Sequence, residues 1–138
     1  MSNDDFKEGL ARRTQLLGEA YVGKALHQAP AFNRDIQEYI TGAVWGRVWS
    51  SGELPLRERI LVTVSLACAL GKVTEMKVHL RNALRNGIKP EELKAVFFHV
   101  AGYCGAPASQ ECFRAYHEVV ASMHAEGELP ADFPAAAG

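Results

Sequence analysis

An all-α fold is what this sequence predicts, and three observations predict it. Apolar residues recur at three- and four-residue spacing through every long segment. Strand-type alternation never holds for four residues between turn signals. Gly and Pro fall between the periodic segments, where helices stop and start. With 138 residues, 48% hydrophobic and 22% charged, the chain is long enough for a real core and has the composition of a soluble globular protein. The expectation is about six helices in a single domain over 1–126. An Ala/Pro-rich tail over 127–138 should be loosely ordered.

The first helix is expected over 4–17, where Phe6, Leu10, Arg13 and Leu17 fall at helical spacing and Asn3 is available as a cap. Gly18 ends it. A short second helix covers Glu19 to Leu26, and Pro30 closes it off. Asn33 can cap the third, whose apolar face is Ile36, Tyr39, Ile40, Ala43 and Val44. That helix runs into Trp45-Gly46-Arg47-Val48-Trp49, and Ser50-Ser51-Gly52 is a loop. Pro55 suits the first turn of a helix through Leu56, Ile60, Leu61, Val64 and Cys68 to Leu70, with Gly71 beyond its end. Few charges follow Arg59, so this helix is expected to be central and buried. Thr74 caps the next, and Gly87 followed by Ile88 fits a Schellman stop. Lys89-Pro90-Glu91-Glu92 starts another, with Pro early and two acids in the first turn. It continues through Leu93, Val96, Phe97, Val100 and Ala101. Gly102-Tyr103-Cys104-Gly105-Ala106-Pro107 breaks it, and a last helix uses Cys112, Phe113, Tyr116, Val119, Val120 and Met123.

The bulk numbers exclude several classes. A net charge of −1 gives no global basic field for nucleic acid. No apolar run approaches the roughly 20 residues of a membrane span. The acidic start, Met1-Ser2-Asn3-Asp4-Asp5, is not a signal peptide. The cysteines, Cys68, Cys104 and Cys112, are odd in number and form no CxxC, which fits a reducing cytoplasm and neither a disulfide framework nor a zinc ribbon. His27, His117 and His124 show no ligand spacing beside acidic partners, so no metal is expected.

The chemistry centres on Glu75 and His79. Four residues apart on a helix, they share a face, and a carboxylate there can orient an imidazole and raise its pKa. An ordinary surface Glu–His pair fits the same spacing. Arg47 can fork onto a carboxylate; a surface arginine is the alternative. Trp45 and Trp49 share a helix face and could wall and dry a pocket, or simply pack a core. Tyr103 could donate its hydroxyl to an oxyanion, with Gly102 and Gly105 admitting a ligand, or its segment could be a tight helix corner.

Taken together, Glu75-x3-His79, Ala83-Leu84-Arg85-Asn86-Gly87 and Tyr103-Cys104-Gly105-Ala106-Pro107-Ala108 resemble the carboxymuconolactone decarboxylase family. Trp45-Gly46-Arg47-Val48-Trp49 resembles the form found in the decarboxylating members. The resemblance covers residues 6–123. It implies the AhpD-like all-α fold, a homo-oligomer (trimer or hexamer) and a cofactor-free lyase. It also implies a reaction: 4-carboxymuconolactone to 3-oxoadipate enol-lactone plus CO2, in the protocatechuate branch of the β-ketoadipate pathway. The partner is then a small dicarboxylate lactone, with His79, Glu75 and Tyr103 as catalytic candidates and Arg47, Trp45 and Trp49 as binding candidates. The alkylhydroperoxidase branch carries a CxxC four residues before the matching histidine, where this chain has Lys72-Val73-Thr74-Glu75. A dithiol peroxidase therefore lacks its chemistry at that position. His99 also departs from the family, which usually carries Gln there. A non-catalytic helical binding module is the remaining alternative.

Overall fold

The computed structural model describes residues 1–134. Among them every regular element is helical. There are seven α-helices: α1 (Asn3–Leu17), α2 (Glu19–His27), α3 (Arg34–Tyr39), α4 (Leu56–Leu70), α5 (Val73–Arg85), α6 (Pro90–Cys104) and α7 (Ala106–Ala125). A 3₁₀ turn, Ala31–Asn33, precedes α3, and a π-helix, Ile40–Val48, succeeds it. The chain divides into two compact units, Met1–Leu56 and the residues from Arg57 on.

In the first unit, Ser2 rather than Asn3 caps α1. Its hydroxyl accepts from the Asp5 N–H at 3.1 Å, and the Asp5 carboxylate accepts from the Ser2 N–H at 2.8 Å. This reciprocal capping box satisfies two otherwise orphaned donors. The expected single helix over the thirties and forties is instead α3 continued as the π-helix, with Trp49 N–H donating five residues back to the Val44 carbonyl at 2.9 Å. The apolar face expected there does not hold: Ile36 and Tyr39 are exposed, and the buried positions are Thr41, Gly42, Trp45 and Gly46. Two small residues let α1 and the π-helix touch along their backbones. A methyl on Gly9 would overlap the Thr41 carbonyl oxygen, and one on Gly46 would overlap the Asp5 carbonyl oxygen.

In the second unit, α4 is buried along one stripe only, Ile60, Val64, Ala67 and Cys68, while Val62, Leu66 and Leu70 are exposed. The expectation of a wholly buried α4 therefore fails. Its lack of charge marks an uncovered apolar face. Helix α5 starts at Val73, so Thr74 lies inside it rather than capping it. The Schellman stop is realised: Gly87 has φ +84°, its N–H donates to the Leu84 carbonyl, and Ile88 N–H donates to the Ala83 carbonyl at 3.0 Å. Glu92 accepts from the Lys89 N–H at 2.9 Å, closing the start of α6. The break before α7 is Gly105 alone, at φ +92°; Gly102 and Tyr103 belong to the last turn of α6. Past α7, Glu128 accepts from Arg85 at 2.6 Å and from Arg81 at 3.2 Å, tying the segment after Gly127 back to α5. Residues 135–138 of the expected tail lie outside the described residues.

Candidate active site

His79 sits on α5, half-buried, one turn after Glu75. Met76, Leu80 and Ala83 on the same helix are fully buried. Glu75 is exposed. Burial pushes the His79 imidazole down, from an ordinary value of 6.5 to about 4. The expectation of a raised pKa is thereby corrected. The physical reason is the medium: a solvated carboxylate is screened, whereas loss of water acts on the whole imidazolium charge. At neutral pH His79 is an uncharged donor–acceptor ring.

Tyr103 is 83% exposed at the end of α6. Its ring stacks on that of His99 at 5.0 Å and 19°. The two rings divide two clefts of about 590 and 460 Å³. One cleft is completed by Glu91, Lys94 and Phe98, the other by Leu66, Ala69 and Val96; neither is lined by His79 or Glu75. Gly102 faces open space, so its lack of a side chain meets no close neighbour.

Trp45, Arg47 and Trp49 belong to the first unit. The two indoles stack at 4.7 Å and 16°, and both are buried. The shared face expected from their spacing is therefore real. The Arg47 side chain is 57% exposed, and its Nε donates to the Asp5 carboxylate at 3.1 Å. The Asp5 carboxyl lies below its ordinary value, first through the Ser2 N–H and then through Arg47.

Cys68 and Cys112 are fully buried on α4 and α7 and hydrogen-bond to one another, while Cys104 is exposed. The partner thiol and burial push Cys68 far up, away from the thiolate. Among the described residues no three His, Cys, Asp or Glu side chains group as a metal site would require. No described helix is long and apolar enough to cross a membrane.

Sequence reasoning misses the part played by Arg13. Its spacing puts it in the α1 stripe with Phe6, Leu10 and Leu17, and an arginine in an apolar stripe is itself the signal. Arg13 is 5% exposed. One terminal nitrogen donates to Thr41 Oγ1 and the other to Gln37 Oε1, each at 3.0 Å.

Residues 34–118 match the sequence profile of the carboxymuconolactone decarboxylase family. This chain belongs to that family. It is 40% identical to 4-carboxymuconolactone decarboxylase of Acinetobacter baylyi over 119 residues, 85% of this chain and 89% of that protein. It is 35% identical to a nitrosuccinic acid decarboxylase of Metarhizium robertsii over 123 residues, 89% of this chain and 86% of that protein. The family match spans the boundary between the two compact units.

Proposed function

We propose that this protein is a cofactor-free carboxy-lyase that converts 4-carboxymuconolactone to 3-oxoadipate enol-lactone and CO2, in the protocatechuate branch of the β-ketoadipate pathway. The observation that carries the reading is the 40% identity, over most of both chains, to a protein with that activity. The substrate's chemistry accounts for the residues. Breaking the bond to CO2 leaves an electron pair that flows through the ring double bond into the lactone carbonyl, giving a dienolate. A proton at carbon then yields the enol-lactone. The substrate of the second relative, nitrosuccinic acid, also has two carboxyls and an electron-withdrawing group that can take the pair. The common requirement is to hold a dianion and stabilise the oxyanion that forms.

The His79 role changes with its pKa. A neutral imidazole is a hydrogen-bond donor for the developing oxyanion, as neutral imidazoles serve elsewhere when their pKa is lowered. The carbon proton then comes from solvent. Glu75, one turn away and solvated, does not charge the ring, and the single N–H of the neutral imidazole is left for the oxyanion. Tyr103 is a second donor candidate. Arg47 binds one substrate carboxylate, with the Trp45–Trp49 pair as the apolar wall. We also assign the chain to the cytoplasm and residues 1–126 to one catalytic domain, supported by the match across both units.

A homo-oligomer, trimer or hexamer, belongs to the same reading. Phe97 and Val100 on α6 are buried and so cannot supply the apolar surface that meets a partner. The exposed apolar residues of the second unit include Val62, Leu66, Leu70 and Phe98, and these suit a partner subunit.

The deciding experiment tracks lactone loss and CO2 release with purified protein. Turnover near or above about one per second supports the assignment, and an unchanged lactone removes it. Arg47 has its own test. Arg47→Ala should weaken substrate binding by roughly 1–3 kcal/mol, read as a higher KM, and Arg47→Lys should recover only part because it loses the fork. A KM within a factor of two of the parent would make Arg47 only the partner of Asp5.

A further inference from the structure

Arg13 is a buried cation without a carboxylate: among the described residues no Asp or Glu lies within ion-pair distance of it. Among the described residues its Nε has no hydrogen-bond partner. A guanidinium so placed carries a desolvation cost that its two neutral acceptors only partly offset. Those acceptors stand at one place in the fold. Gln37 is in α3, and Thr41 is the second residue of the π-helix. The Thr41 hydroxyl donates to the Gln37 carbonyl at 2.7 Å while accepting from Arg13. In a continuing α-helix that carbonyl would serve the Thr41 N–H four residues on. The Arg13 network therefore grips the turn in which α-helical geometry gives way to π-helical geometry.

That turn sets the orientation of the residues beyond it. Trp45 and Arg47 lie within the π-helix, and Trp49 donates back to it through the Val44 carbonyl. Changing from π to α spacing would rotate all three side chains relative to α1. Other ties between α1 and the π-helix include the Gly9 and Gly46 contacts and the exposed Asp5–Arg47 pair. Of these ties, the Arg13 network is the one that joins both sides of the transition.

We propose that Arg13 is a positioning residue: through Thr41 and Gln37 it holds the π-helix in the geometry that places Arg47 and the stacked Trp45–Trp49 pair for the substrate. The inference rests on the proposed lyase reaction for its kinetic arm and on geometry alone for its spectroscopic arm. The chain has two tryptophans, Trp45 and Trp49, so a circular-dichroism couplet from coupled indoles reports their stacking without interference from a third.

The test uses Arg13→Met, which keeps length and removes the donors, Thr41→Val, which removes the hydroxyl at equal shape, and Arg13→Lys. Expected is a diminished indole couplet in Arg13→Met and Thr41→Val. Lactone KM should rise about tenfold, the scale of one lost charged hydrogen bond, with kcat within about threefold. Arg13→Lys should restore part of both signals. Should Arg13→Met fail to fold, Thr41→Val decides the matter. A parental couplet in a folded Arg13→Met or Thr41→Val variant overturns the proposal, whether or not the lactone is turned over. If the couplet falls while KM stays parental on a confirmed lactone substrate, Arg13 shapes the helix but does not position the site, which also overturns it. If the lactone is not turned over at all, the lyase reading fails and the couplet alone decides the positioning of the indoles.

Discussion

His79→Ala is expected to lose about two to three orders of magnitude in kcat, the cost of removing one oxyanion donor. The lowered pKa also fixes the pH dependence. With the imidazole at about 4, the neutral form is present across the neutral range. The kcat/KM profile, which reports the free protein, should be flat above about pH 5, with any change confined to the range below about pH 4 where the ring takes a proton. Glu75→Gln should leave that acid limb nearly in place, because burial sets it. A kcat/KM that instead declines tenfold per pH unit from pH 4 upward would make the imidazolium the active form. Near-parental kcat in His79→Ala would leave carboxylate desolvation as the main source of rate.

The same residue links pH to stability, with a definite sign. The folded pKa lies below the unfolded one, so the unfolded chain binds more protons between about pH 4 and 6.5. Stability is fully present above 6.5 and is lost as pH falls through that window. A displacement from 6.5 to about 4 amounts to roughly 3 kcal/mol at about 1.4 kcal/mol per pH unit. His79→Gln, which cannot titrate, should lack this part of the acid loss in urea titrations at pH 7 and pH 4.

The helical class and most helix ends are legible in the sequence because their causes are local. Gly87 before Ile88, and Pro90 before two acids, act through the residues beside them, and both end or start a helix as expected. The π-helix is not legible. An α-helical period gives Ile36, Tyr39, Ile40, Ala43 and Val44 one apolar face, yet Ile36 and Tyr39 of α3 are exposed and the π-helix buries Thr41, Gly42, Trp45 and Gly46. It is tied instead to contacts between residues 28 and 24 apart in sequence, Arg13 with Thr41 and with Gln37. The Glu75–His79 spacing is legible, but the pKa direction is not. Periodicity gives a shared face and leaves open how deeply that face is buried, and burial outweighs the charge. Gly102 to Pro107 looks like a long break because it is rich in Gly and Pro, whereas one glycine at φ +92° makes the turn and Pro107 fits the first turn of α7.

Gly9→Ala is expected to be among the most destabilising single changes in the first unit. A Cβ there would overlap the Thr41 carbonyl oxygen and stand 2.7 Å from the Gly46 nitrogen. Both atoms are backbone, so no side chain can swing aside. Relief requires α1 and the π-helix to separate, which would loosen the Asp5–Arg47 pair and the Arg13 network together. Overpacking of this kind costs about 3 kcal/mol or more, a fall of roughly 10 °C in Tm for a domain of this size. Gly46→Ala should behave alike, since its Cβ would overlap the Asp5 carbonyl oxygen. Gly23→Ala and Gly102→Ala are the controls. Both positions are helical and open, so alanine there should leave Tm unchanged or raise it slightly. Thermal melts of the four variants check this directly. A Gly9→Ala melt within about 2 °C of the parent would mean that the two helices do not touch along their backbones.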